Sequence, residues 1–205
     1  MQGLSGRRGA SALLFPSGYA ANLSVGMSLC ALHPGQDTAQ CIHIFSDQLN
    51  HASIIDGVAY AKAKGKGKDL VLHIYKHNDV EDLRRQLDET PKERALKIVI
   101  TESVFSMDGD ICSLREIVGL KKERNNDFLL VLDEAHATLV FGQNGGGLAQ
   151  HLGLSSYIDI TVGRYPTQPS LCRISICLLI SPFASLCLSQ VWHRKAGRQR
   201  KKNTI

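Results

Sequence analysis

Past Asp159 the chain carries no Asp or Glu at all. Residues 164–205 hold eight Lys and Arg against no acid, whereas residues 1–163 hold the other sixteen against all 19 acids. The overall charge of +5 therefore belongs to the C-terminal segment. The body is net acidic, which excludes the basic face that a nucleic-acid motor needs. No string fits G-x-x-x-x-G-K-[ST], so no NTPase phosphate loop is present, and Gly65-Lys66 and Gly67-Lys68 lack the Ser or Thr that would have to follow. No C-x-x-C occurs among the six cysteines (Cys30, Cys41, Cys112, Cys172, Cys177 and Cys187). Their spacing matches neither a zinc site nor a small disulfide scaffold, and it suits free thiols in a reducing compartment. Met1 to Ala10 contain no apolar run of signal-peptide length. A cytoplasmic location is the expectation, with an organellar one compatible. No internal repeat is present.

What remains is globular: 43% hydrophobic and 21% charged residues, in a length that suits one domain. Strand and helix signals alternate. Residues 12–15 form a short apolar run broken by Pro16, and apolar runs at 41–45, 70–75, 97–102, 129–132 and 157–162 read as strands. Between them, apolar residues at helical spacing predict helices over 18–32, from about 52 to 63, from Asn78 or Asp79 to about 88, and over 114–124. Such alternation predicts an α/β fold with a mainly parallel sheet and helices on both faces. Lys62, Lys64, Lys66 and Lys68, interleaved with Gly, read as a solvated loop. His73 and His77 are four apart, but a strand does not place them on one helical face, so they are not expected to pair on a metal.

The chemistry centres on L-L-V-L-D-E-A-H, residues 129–136. A buried strand delivers Asp133 and then His136 to its carboxyl end, where ligands of open α/β sheets bind. Read as a helicase box, these letters would need the missing phosphate loop. Read as a cofactor site, they explain more of the chain. An Asp at a strand end can keep a ring nitrogen protonated, as the pyridinium of pyridoxal 5′-phosphate (PLP) requires of its electron sink. His136 can bond a ring hydroxyl and His51 can cover a ring face. The Ser17-Gly18 turn opens a helix whose free N–H groups and dipole suit a phosphate.

Four strings then carry a resemblance: L-L-F-P-S-G-Y-A-A-N (13–22), S-D-Q-L-N-H-A-S-I-I-D-G (46–57), S-V-F-S-M-D-G-D (103–110) and V-L-D-E-A-H-A-T-L-V-F-G-Q-N-G-G-G (131–147). They resemble the α-oxoamine synthases, PLP enzymes of the aspartate-aminotransferase fold, in order over about residues 12–163. The resemblance is strongest to members of the biotin pathway that join L-alanine to pimeloyl-CoA with loss of CO2 and CoA. Glycine acetyltransferases share three of the patterns. It implies part of the large domain of a fold type I PLP enzyme and a homodimer. It further implies that Gly18 and Tyr19 lie at the cofactor phosphate, that His51 stacks on the ring and meets the amino-acid carboxylate, and that Ser106 bonds the cofactor. Asp133 would pair with the ring nitrogen and His136 with its hydroxyl. Glu134 stands where Asp is commoner, and little consequence is expected.

The resemblance ends after Gly163. Where the family carries a phosphate-binding Thr and then the Schiff-base Lys, this chain has Arg164 and Thr167. Residues 1–11 are likewise unmatched, and 164–205 read as a divergent tail. The expectation is a truncated isoform or gene product without a catalytic lysine, inactive or serving as the non-catalytic subunit of a synthase dimer. Its sheet edge would be left unpaired and prone to aggregate. Ile174 to Trp192 carry no charge and precede a basic cluster. As a helix they would span about 28 Å, close to a bilayer core, but Pro182 and several Ser and Gln argue against a membrane anchor.

Overall fold

Apolar residues in the central strands alternate between two faces, and each face is covered by its own helices. In the computed structural model, described for residues 11–29, 41–63, 70–91, 95–163 and 177–180, seven strands form one sheet. They are β1 (Ser11–Leu14), β2 (Cys41–Asp47), β3 (Leu70–Tyr75), β4 (Ala95–Glu102), β5 (Phe128–Asp133), β6 (Ile160–Gly163) and β7 (Cys177–Ile180), in the order β1-β7-β6-β5-β4-β2-β3. Strands β3, β2, β4, β5 and β6 run parallel, and β7 lies antiparallel between β6 and β1.

Helices α1 (Gly18–Leu29) and α2 (Ala52–Ala63) cover one face, packing Ala21, Val25, Ile54 and Val58 on Ile44 and Ile98. Helices α3 (Val80–Glu89) and α4 (Leu114–Glu123) cover the other, setting Leu83, Leu87 and Ile117 against Phe45, Val99 and Leu130. Each of these Val, Ile, Leu and Phe side chains, once buried, stabilises the fold by about 1.5–3 kcal/mol before chain entropy is subtracted. Helices α1 and α2 cross at Gly26 and Gly57. A Cβ on Gly26 would stand 2.8 Å from the Gly57 carbonyl carbon, so only glycine permits this approach. Asp79 caps α3 by accepting the Asp82 N–H at 2.9 Å, as its position before the apolar period predicts.

The structure corrects the sequence reading in two places. The strand expected over 157–162 begins only at Ile160; Ser155–Tyr157 form a 3-10 turn. The Asp159 N–H still donates to the Leu130 carbonyl at 2.9 Å, but the Leu130 N–H goes to the Asp159 carboxylate at 2.7 Å, so a side chain takes over one of the two bonds a strand residue would make there. The segment read as a divergent tail also supplies a strand, for Cys177–Ile180 pair with both β6 and β1, and β6 is not left as an edge. The rest of that tail, Arg164 and Thr167 included, and the lysine run at 64–68 lie outside the described residues. Among the described residues no helix is long and apolar enough to cross a membrane.

Beyond β2 the chain first steps outward to β3, then returns past β2 to β4 and continues the other way. The switch point between β2 and β4 opens a crevice at the carboxyl ends of the strands. The loops that follow β2, β4 and β5 meet there.

Candidate active site

Helix α1 begins beside this crevice. Ser17 caps it by accepting the Ala20 N–H on its hydroxyl at 3.1 Å. Gly18 and Tyr19 form its first turn; the Tyr19 ring is exposed, and its hydroxyl donates to Asp56 on α2 at 2.6 Å. One turn further along, the buried Asn22 amide donates to the Asp133 carboxylate at 2.7 Å and to the Ser53 hydroxyl at 3.0 Å. The Ser53 hydroxyl lies 2.7 Å from His51 Nδ1, which also accepts the Ser53 N–H at 3.2 Å. With Nδ1 accepting, the imidazole proton resides on Nε2. A continuous chain, Asp133–Asn22–Ser53–His51, thus joins α1, the start of α2 and the end of β5.

Asp133 is only 5% exposed. Its side chain accepts hydrogen bonds from the Asn22 amide and, at 2.8 Å, from the Ala135 N–H. Its backbone carbonyl accepts the Ser103 N–H and hydroxyl at 2.8 and 2.9 Å. Burial pushes its pKa up, against the pull of the Asn22 and Ala135 bonds and of His136 and His51 nearby. The neighbour across the ladder is a second carboxylate, Glu102. It accepts the His51 backbone N–H. Burial, then the Asp133 charge, push its pKa up to about 7.

Of the residues singled out from sequence, Gly18, Tyr19, His51 and Asp133 fall within this network or its first helical turn. His136 is exposed, three residues past Asp133 and close enough to act on its charge. Ser106 is exposed in the loop after β4, four residues past Glu102. Asn22, Ser53 and Glu102 were missed. Asn22 stands four residues after Gly18, one turn along the same helix, and that spacing is the signal that could have found it.

Glu134, expected to matter little, holds a loop. Its buried carboxylate accepts the Leu148 and Ala149 N–H groups at 2.8 and 2.9 Å, which open the short helix α5 (Leu148–His151). Gly147 has φ +90° and lies against it, so a Cβ there would collide with the carboxylate. His73 and His77 part company. His73 Nε2 lies 2.9 Å from His43 Nδ1, while His77 lies between two carboxylates.

The donor set fits a cationic heteroaromatic cofactor. Asp133 is a buried carboxylate whose hydrogen-bond partners here are neutral, so a ring N–H would supply the charge that burial otherwise opposes. The capped N-terminus of α1 stands one turn before Asn22, which bonds Asp133, and suits a phosphate.

Comparison with known proteins shows the family and the fold. The family model "Aminotransferase class I and II" matches residues 7–165. An 8-amino-7-oxononanoate synthase from Anaeromyxobacter sp. (strain Fw109-5) is 46% identical over 153 residues, covering 75% of this chain and 34% of that protein. The Arabidopsis thaliana synthase of the same name is 40% identical over 157 residues, covering 74% and 32%. A solved serine palmitoyltransferase from S. paucimobilis, with bound PLP–myriocin aldimine, superposes with a TM-score of 0.68 at 31% identity, covering 88% of this chain and 40% of that one. The Sphingomonas wittichii serine palmitoyltransferase gives 0.69 at 30% identity, covering 90% and 41%. The chain spans about a third of the length of the curated relatives it matches.

Proposed function

The chain belongs to the aminotransferase class I and II family, and from that premise we propose that the crevice is the ring-holding part of a PLP site of the α-oxoamine synthase kind. The parent reaction is the condensation of L-alanine with pimeloyl-CoA to 8-amino-7-oxononanoate, CO2 and CoA. One observation carries the reading: Asp133, buried on neutral donors, is wired through Asn22 and Ser53 to His51.

When bound, PLP supplies an electron sink for charge developing at the amino-acid Cα. Asp133 holds the proton on the ring nitrogen, and Asn22 fixes the carboxylate for that task. His136 meets the ring hydroxyl. His51, with its proton on Nε2, offers that N–H to the ring face or to the substrate carboxylate. Gly18, Tyr19 and the start of α1 would receive the phosphate, and Ser106 would bond the cofactor from the loop after β4. A homodimer and a cytoplasmic, reducing location go with the reading.

Thr167 stands where the family motif has its lysine, and a hydroxyl forms no imine. We therefore expect reversible cofactor binding without turnover: rate losses of several powers of ten follow from removing both the covalent hold and the positioned base. The same substitution favours a second reading, a non-catalytic subunit paired with a complete synthase. Absorbance titration of the purified chain with PLP tests the first claim. Binding that Asp133→Asn weakens at least tenfold is the expected result; absence of binding would sink the reading. CoA release from alanine and pimeloyl-CoA, or from glycine and acetyl-CoA, would overturn the inactivity. Co-purification with a full-length synthase separates the two readings.

A further inference from the structure

A second cluster lies at the outer side of the crevice, in residues the proposed chemistry does not use. We propose that His77 is a positioning residue: held as an imidazolium between Asp47 and Asp110, it docks the loop of residues 103–111 onto the carboxyl end of β2 and so sets where Ser106 stands. Only the significance of Ser106 rests on the PLP reading.

His77 Nδ1 lies 2.8 Å from Asp47 Oδ1, and Nε2 lies 2.8 Å from Asp110 Oδ2. Asp47 ends β2 and is buried; Asp110 belongs to the loop. Its Oδ1 is buried and makes no hydrogen bond. The imidazole also meets the Phe105 ring edge-on, with centroids 4.4 Å apart. Asn78, at φ 57°, extends the same dock. Its N–H donates to Asp47 at 2.9 Å, its amide donates to the Ile111 carbonyl at 3.0 Å, and its side-chain oxygen accepts the Ser113 N–H at 2.7 Å. Within the loop, the Phe105 N–H donates to the Asp110 carbonyl at 3.0 Å, and Cys112 N–H to the Ser103 carbonyl at 3.1 Å.

An imidazolium donates on both nitrogens, whereas neutral imidazole donates on one and presents a lone pair with the other. With both nitrogens on carboxylates, losing the proton turns one bond into a repulsion. Asp47 from β2 and Asp110 from the loop are the charges that act on His77; Lys76, next along the chain, is exposed. Burial works against the cation, but the two carboxylates outweigh it, so the pKa lies above the ordinary histidine value. A raised histidine value means the dock is complete below the unfolded value and is lost as pH rises through the folded one.

Hydrogen exchange followed by mass spectrometry on the full chain at pH 6 and pH 9, corrected for intrinsic rates, reads this directly. Segment 103–113 is compared with β5, so that a global change in stability cancels. The expected result is a loss of protection at pH 9 at least tenfold larger in 103–113 than in β5. His77→Gln is expected to remove the pH step and leave low protection at both values; Asp110→Asn, at a half-exposed position, shrinks the step. An unchanged ratio between the two pH values, or wild-type behaviour of His77→Gln, overturns the proposal. PLP uptake is titrated on the same samples. If none binds, the PLP reading falls, while the exchange ratio still decides the role of His77.

Discussion

At the amino end of the sheet the buried charges are lysines; at the carboxyl end they are carboxylates. Lys97 and Lys121 are 2% and 3% exposed, and each is answered. Lys97 donates to the Leu87 carbonyl at 3.3 Å and lies 3.7 Å from Asp127. Lys121 donates to the Tyr157 carbonyl at 3.0 Å and pairs with Asp159. At the other end, Glu102 and Asp133 are ladder neighbours of like charge, and the hydrogen bonds they accept come from neutral donors. Glu134 beside them is satisfied by backbone N–H groups, and Asp47 by His77. Both ends are equally dry, so burial alone does not mark a site. The distinction is whether a buried charge meets its opposite within the chain or waits for one from outside.

Four substitutions sharpen or break this contrast. The largest effect is expected from Lys121→Ala. It strands Asp159, whose carboxylate also holds the Leu130 N–H, and should cost about 3–5 kcal/mol. A fall in the urea midpoint at unchanged slope checks it, and a loss below about 1 kcal/mol would make the amino end no more dependent on pairing than the surface. Glu102→Gln tests the opposite end. A carboxyl with a pKa of about 7 when folded and 4.5 when free destabilises the fold once ionised, by on the order of 3 kcal/mol. For an acid with a raised value, stability is highest below the unfolded value and declines as pH rises toward the folded one. The variant should therefore match the parent near pH 4 and exceed it at pH 8. Parallel stability curves from pH 4 to 8 would contradict this.

Gly147→Ala forces a Cβ onto the Glu134 carboxylate at a positive φ and should cost about 2 kcal/mol, read as a lower thermal midpoint. An unaltered midpoint would show that Glu134 is free to move. Ser17→Ala removes the α1 cap at the carboxyl end and should cost about 1 kcal/mol by denaturant unfolding. No loss would mean that water replaces the hydroxyl.

Elements with a strong local signal were legible in the sequence. Strand β5 and its terminal Asp133, helix α3 with its Asp79 cap, and the alternation that gives a parallel sheet all rest on residues within one or two turns of one another. What escaped depends on partners distant in the chain. Asn22 acquires its meaning from Asp133 and Ser53, Glu102 from the N–H of His51, and His77 from two carboxylates some thirty residues to either side. Strand β7 escaped for a different reason. Four apolar residues within a longer uncharged run have no period that separates a strand from a spanning helix. The onset of β6 was misplaced because Asp159 bonds the ladder through its side chain, a choice that propensity does not encode.

The position of β7 bears on the order in which the molecule is assembled. Strands β2 to β6 pair with elements close to them in the chain, so this block is able to form as each crossover is completed. Among the described residues, strand β1, the first of the seven in chain order, hydrogen-bonds in the sheet only to β7, the seventh. Closing that loop carries the largest entropy cost in the topology and comes late, after the body already stands. Strand β1 is thus a latch that closes late, and Leu13 and Leu14 remain exposed on it.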